Sequence, residues 1–307
     1  MCDMDIMIKQ IANKIIEEIK GFPKEAMSSQ SSELKTVWDE YKEQVQYEEY
    51  AEVVKAAKGR PVTFRTLDLG GDKRLGDLAD EANPFMGYRA VRLCLERPDV
   101  FRPQLRALIR AAAHGPVQVM FPMISGVEEL RRAKVIFRDV EAELAREGVR
   151  SADPIRLGAM IEIPSAAAVA NELAAEADFF SVGTNDLVQY LLAVDRGNQR
   201  VASLYDPCHP AVVRTLMVIF AAAQKRGIPA AVCGELGGDP LWAPLLIGLG
   251  VHELSMTPAA LPEVRFVLRH SAVSELRELA SQVVACADAG KTRALLQDFA
   301  AAKLKLR

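Results

Sequence analysis

Long apolar runs are missing from this sequence of 307 residues: stretches such as Leu216 to Ala223 fall far short of the about 18 residues a membrane span needs. The N-terminus also lacks a basic-then-apolar signal pattern. The expectation is a soluble, cytoplasmic protein with no membrane partner. Excess positive charge is lacking too. A formal net charge of -3, a pI near 5.9 and no basic stripe interleaved with aromatics argue against nucleic acid as the main partner. Cysteine is scarce and irregular. Cys2, Cys94, Cys208, Cys233 and Cys286 are an odd number with no Cys-x-x-Cys pair, which excludes a disulfide frame and a zinc site and fits reduced thiols. The four histidines, His114, His209, His252 and His270, do not cluster, and only His209 falls near the polar positions described below.

What the chain has is length enough for a full-size core: one large α/β domain with a short appendage, or two ordinary domains. Basic residues change character along it. Residues 1 to 60 hold eight lysines and one arginine, and the remainder holds six lysines and 23 arginines, so a junction is expected between about Tyr47 and Gly59. Upstream, Ile8, Ile11, Ile15 and Ile19 recur at helical spacing behind Asp5, and Gly21 with Pro23 ends the run. After the Ser-rich stretch Ser28 to Ser32, Val37, Trp38, Tyr41 and Val45 form one face of a second helix. Residues 1–58 therefore read as a helical segment without chemistry of its own, and 59–307 as the main domain.

Downstream, strand-like runs alternate with helical stretches: Val62 to Leu67, Val117 to Met123, Leu157 to Ile163, Phe179 to Val182, Ala230 to Val232 and Glu253 to Met256. Such βαβ alternation predicts a parallel sheet covered by helices, and so many units in this length favour a closed barrel over a doubly wound sheet.

Polar residues sit where those runs end. Arg65 lies inside an apolar run that leads into Asp68-Leu69-Gly70-Gly71-Asp72-Lys73, where two glycines let backbone N–H groups approach an anion. Arg89 follows in Asn83-Pro84-Phe85-Met86-Gly87-Tyr88-Arg89, either beside a ligand or as a solvated surface residue. Glu162 takes a place where an apolar residue is expected; a buried salt bridge, for instance with Arg65, would also explain it. Asn185 and Asp186 leave the next run, and Arg196 comes one element later. Glu162 and Asp186 on successive strand ends would make a two-carboxylate site suited to Mg²⁺. Cys233 ends the run Ile228 to Val232 and opens Gly234-Glu235-Leu236-Gly237-Gly238. Taken alone it fits core filler, since free cysteine is often buried, as well as a reactive thiol at a barrel's strand end. Together these residues describe a pocket for a small phosphorylated carboxylate, because guanidinium forks bind phosphate and carboxylate through paired hydrogen bonds.

From about Gly59 to Leu296 the chain resembles the phosphoenolpyruvate-binding C-terminal domain of enzyme I, the phosphoenolpyruvate-protein phosphotransferase of the bacterial sugar phosphotransferase system. The residues that carry the resemblance are Arg65 to Lys73, Asn83-Pro84-Phe85 with Gly87 to Arg89, Phe121-Pro122-Met123, Gly183 to Leu187, Val194 to Asn198, and Cys233-Gly234-Glu235-Leu236. It implies a TIM-type (β/α)₈ barrel that binds phosphoenolpyruvate and Mg²⁺. The phosphoryl group then passes to a histidine on a separate phosphohistidine domain, and pyruvate is released. Carried over to matching positions, Glu162 and Asp186 would hold the metal, and Arg65, Arg89, Asn185 and Arg196 the substrate. Cys233 would protonate C3 of the enolate, a role open to an ordinary thiol with pKa of about 8.5. A homodimer is implied as well, with a phosphocarrier protein as partner in the full system.

The pattern departs from the family in two respects. The family's barrel opens with a strand bearing a Leu-Arg-Thr-Glu-type motif, and residues 1–58 contain none, so one substrate-binding arginine and the first strand are expected to be missing. The phosphohistidine domain is expected to come from elsewhere. Two other readings stand beside this one: a pyruvate phosphate dikinase or phosphoenolpyruvate synthase relative, and a catalytically incomplete module that only binds phosphoenolpyruvate or dimerises.

Overall fold

The computed structural model describes residues 32–68 and 81–305, with side chains from residue 42 onward. The helix expected around Ile8 to Ile19 and the glycine pair with Lys73 lie outside the described residues. The chain forms two compact units, one reaching to Met123 and resuming over Glu128–Gly158, the other comprising Ile124–Val127 and Ala159 onward.

In the first unit, α1 (Ser32–Ala56) ends inside the interval from Tyr47 to Gly59 where a junction is expected. No glycine or proline interrupts it before Gly59, whose φ of +79° turns the chain. Buried Tyr50, Val53, Val54 and Ala57 recur at the spacing of one helix face. That face packs on α3 (Pro98–Ala111), which follows the short α2 (Val91–Glu96). Glu43 accepts from both Arg106 (2.6 Å) and Arg110 (2.7 Å), while Arg110 lies 4.2 Å from the Tyr47 ring centroid. α1 thus supplies apolar surface that covers α3.

Strand β1 (Val62–Arg65) pairs in parallel with β2 (Val117–Phe121), Val62 opposite Val117 and Arg65 opposite Met120. Phe101 of α3 meets Phe121 edge to face, with centroids 6.3 Å apart, and both rings are fully buried. Burying such a ring stabilises the unit by about 1.5–3 kcal/mol. The long α4 (Val127–Arg146) places Glu128 and Glu129 in its first turn and Arg146 in its last, each complementing the helix dipole.

In the second unit the end of β3 (Arg156–Ile161) pairs with β4 (Phe180–Gly183), β4 with β5 (Ala230–Cys233), and β5 with the two-residue β6 (Glu253–Leu254), all in parallel. β4 is buried at every position, as parallel strands covered on both faces should be. The connections carry α5 (Pro164–Ala168), α6 (Ala170–Ala174), α7 (Thr184–Leu192), α8 (Pro210–Arg226) and α9 (Trp242–Gly248). Helices α10 (Leu261–Arg269), α11 (Val273–Ala285) and α12 (Ala289–Leu304) follow. The fold is α/β with parallel strands, as the alternation predicts. Six strands are described, where a (β/α)₈ barrel has eight.

Candidate active site

Parallel strands bring their carboxyl ends to one edge, so the residues that end β3, β4 and β5 become neighbours. Ile161 is registered with Val182, and Gly183 with Cys233. Glu162, Gly183 and Cys233 therefore form one row across three strands spaced about 4.8 Å apart. A side chain at position 183 would collide with Glu162: an added Cβ would lie 2.5 Å from its Oε2 and 3.0 Å from its Cβ. Glycine at the end of β4 is what makes room for the carboxylate. Glu162 itself is only 2% exposed.

At the other end of the row, the Cys233 Sγ–H donates to the Val182 carbonyl (3.4 Å), and the Ser181 hydroxyl donates to Sγ (3.3 Å). A carbonyl oxygen accepts from S–H but repels a thiolate, so this geometry suits a thiol that carries its proton. Cys233 is half-buried, which distinguishes it from buried Cys94 and Cys208. Gly234 follows with φ of +100°, and an added Cβ there would lie 2.7 Å from Thr184 Oγ1 and 3.0 Å from Asn185 Oδ1. The turn after β5 is thus drawn tightly onto the start of α7. Two bonds hold it there: Thr184 Oγ1 donates to the Cys233 carbonyl (3.1 Å), and Glu235 N donates to Asn185 Oδ1 (3.2 Å). The second bond fixes which way the Asn185 amide points and turns its NH₂ group into the available donor. A donor suits an anionic ligand.

Asp186 lies in the first turn of α7, where the helix dipole favours a carboxylate, and is 9% exposed. Among the described residues, no group of three or more His, Cys, Asp and Glu could hold a metal. Glu162 and Asp186, which follow the adjacent strands β3 and β4, carry the oxygen donors that Mg²⁺ takes, since that ion uses one or two carboxylates and fills its shell with water and phosphate oxygens. Exposed Arg196 begins the next loop, anchored by its own N–H to Oε1 of buried Gln189 (3.1 Å). His209 serves a structural role, its Nδ1 capping α8 by accepting from Ala211 N (3.1 Å).

The first unit holds the other two expected substrate residues, gathered around Asp68. Arg89 is 6% exposed, not a solvated surface residue, and grips the carboxylate through Nε (3.2 Å to Oδ1) and Nη2 (3.0 Å to each oxygen). Arg65, with its side chain 42% exposed, is 3.7 Å from the same carboxylate, so its ion-pair partner is Asp68 and not Glu162. The end of β1 is held from behind: Leu67 N donates to Oε1 of buried Gln104 (2.9 Å), and Gln104 Nε2 donates to the Tyr50 hydroxyl on α1 (3.0 Å). Ala90, next to Arg89, has φ of +52°, a strained conformation for alanine. Arg89→Ala is expected to lower stability by about 3–5 kcal/mol, because Asp68 stays buried without its main partner. Urea unfolding checks this, and the double change with Asp68→Ala should recover part of the loss.

Residues 5–273 match the family of phosphoenolpyruvate-utilising enzymes, in its phosphoenolpyruvate-binding domain. The chain belongs to this family. The matched stretch begins at residue 5 and so takes in most of the 58-residue segment that carries none of the motifs. Among named relatives, the phosphoenolpyruvate-protein phosphotransferase of Staphylococcus carnosus (strain TM300) is 46% identical over 259 residues, covering 84% of this chain and 45% of that protein. The enzyme of the same name from Staphylococcus aureus (strain MSSA476) is 45% identical over the same length and the same shares. That from Latilactobacillus sakei is 46% identical over 241 residues, 78% of this chain and 42% of that protein. The chain thus spans less than half the length of these relatives. A solved citrate lyase from Burkholderia xenovorans LB400 superposes with a TM-score of 0.42 at 20% identity, covering 67% of this chain and 70% of that one, too slight a likeness to bear on the site.

In this member of the family, reasoning from sequence missed Asp68, Gln104, Ser181 and Gln189. Ser181 had a signal, a hydroxyl inside the apolar run Phe179 to Val182. Asp68 stood in a motif already singled out. The others had none, because their partners lie on different elements.

Proposed function

We propose that the chain binds phosphoenolpyruvate with Mg²⁺ and gives its phosphoryl group to a histidine on a separate phosphohistidine domain, releasing pyruvate. The observation that carries this reading is the row Glu162, Gly183, Cys233, which puts a buried carboxylate and a thiol that donates to a carbonyl on one face with Asn185 and Asp186 just beyond. Glu162 and Asp186 would hold the metal, whose charge would be set against the phosphate oxygens. Arg65, Arg89, Arg196 and the Asn185 NH₂ group would hold the substrate's phosphate and carboxylate, and transfer would be mostly positioning and charge neutralisation.

In the reaction, a histidine nitrogen forms a bond to phosphorus as the bond from phosphorus to the enol oxygen breaks. The electron pair stays on the pyruvate enolate. Cys233 gives its S–H proton to C3 of that enolate, and solvent reprotonates the sulfur. On the same reading the six described strands belong to a (β/α)₈ barrel, with residues 59–307 as its phosphoenolpyruvate-utilising part. The chain then works in the cytoplasm as a homodimer beside a phosphohistidine domain and a phosphocarrier protein. Relatives named phosphoenolpyruvate-protein phosphotransferase support this, as does the lack, among the described residues, of any helix long and apolar enough to cross a membrane.

Calorimetric titration with phosphoenolpyruvate is the direct test. Saturable heat that depends on Mg²⁺ is expected, and no heat with Mg²⁺ present would refute the reading. Adding a phosphohistidine domain and following pyruvate then separates transfer from binding alone.

A further inference from the structure

The loop after α7 closes on the site through a residue so far given no part in it. From Asp195 to Tyr205 the backbone is a run of tight turns: Asn198 N donates to Asp195 O (3.1 Å), Ala202 N to Asn198 O (2.9 Å), and Tyr205 N to Ala202 O (3.1 Å). Such a run behaves as one piece, so fixing its two ends fixes what it carries. Arg196 N is tied at one end to Gln189. At the other, the Tyr205 hydroxyl donates to the main-chain carbonyl of Asn185 (3.2 Å). The next residue, Asp206, accepts from Cys208 N (2.9 Å) and from Arg293 of α12 (2.8 Å), so Tyr205 enters the site from an anchored base.

We propose that Tyr205 is a positioning residue of the phosphoenolpyruvate site, holding the Asn185 amide and, through its loop, Arg196 in the arrangement that receives the substrate. The proposal rests on the function given above and deepens it. Asn185 joins two elements: its carbonyl takes the Tyr205 hydroxyl, and its side-chain oxygen takes Glu235 N from the turn beyond Cys233. The phenol on that carbonyl therefore holds from the loop side a residue whose side chain ties α7 to the turn beyond β5. The ring is half-buried, and burial is the main cause that pushes the hydroxyl up to about 12; Arg196 pulls it down, while Glu235 and Asp186 push it further up. The hydroxyl keeps its proton, and so its bond to Asn185, at neutral pH.

Tyr205→Phe removes only the oxygen, so fold and packing are kept. Phosphoenolpyruvate titrated in the presence of Mg²⁺ is expected to bind about ten-fold more weakly, the size of one lost hydrogen bond. Asn185→Ala keeps the backbone carbonyl but removes the amide being positioned. Adding Tyr205→Phe to it should weaken binding far less than it does in the wild-type chain, the non-additivity expected of residues acting as a unit. Binding of Tyr205→Phe within about two-fold of wild type, or losses that simply add, would overturn the proposal. Failure of the wild-type chain to bind would overturn the function instead. The positioning claim has its own readout without ligand: in amide proton–nitrogen spectra, the Asn185 side-chain and Glu235 backbone peaks should move in Tyr205→Phe, and unmoved peaks would overturn it.

Discussion

Alanine in place of Cys233 is expected to slow pyruvate release by about 10²–10⁴-fold, the usual worth of a positioned general acid. Binding of phosphoenolpyruvate should change little, because on the proposed reading the thiol would act on C3 only after the phosphoryl group has left. Stopped-flow measurement of phosphohistidine formation against pyruvate formation separates the two steps. The variant should still form phosphohistidine but lag in pyruvate, since an enolate without its acid must take a proton from water. If pyruvate keeps pace with phosphohistidine in Cys233→Ala, the proton comes from elsewhere and the thiol is only packing against Ser181 and Val182. Serine is not a rescue, because its hydroxyl is a far weaker acid than a thiol.

The second large effect concerns the carboxylates. Glu162→Gln and Asp186→Asn keep shape and hydrogen-bonding reach but remove charge, and each is expected to lower phosphoryl transfer by about 10³-fold, the scale of several kcal/mol of charge stabilisation. The Mg²⁺ concentration needed for half-maximal rate should rise in both. A variant with the wild-type Mg²⁺ dependence would show that its carboxylate is not a metal ligand.

The strands were legible because parallel strands buried on both faces must be nearly continuous apolar runs, and each run stops at a turn-forming or polar residue. That is why Glu162, Asn185, Asp186 and Cys233 stood out: each ends or directly follows such a run. The interval from Tyr47 to Gly59, where a junction is expected, holds the end of α1 and the turn at Gly59. A change from lysine to arginine alters surface chemistry without altering helix propensity much, so α1 continues to Ala56 and joins the first unit. His209 drew notice by type and position, yet a histidine ahead of a helix beginning with proline finds its use in capping.

By itself, then, the sequence determined the α/β class, the order of strands and helices, and the chemical kinds of residue at the strand ends. Periodicity, turn residues and helix punctuation are local, and a chain writes them in consecutive positions. Only the tertiary structure decided the partners: Arg89 with Asp68, Gln104 between Leu67 and Tyr50, Ser181 beneath Cys233, and Tyr205 on Asn185. These contacts join residues 20 to 54 positions apart. They exist because strand register and helix packing bring separate elements together, and spacing along a chain carries no record of which element will be its neighbour.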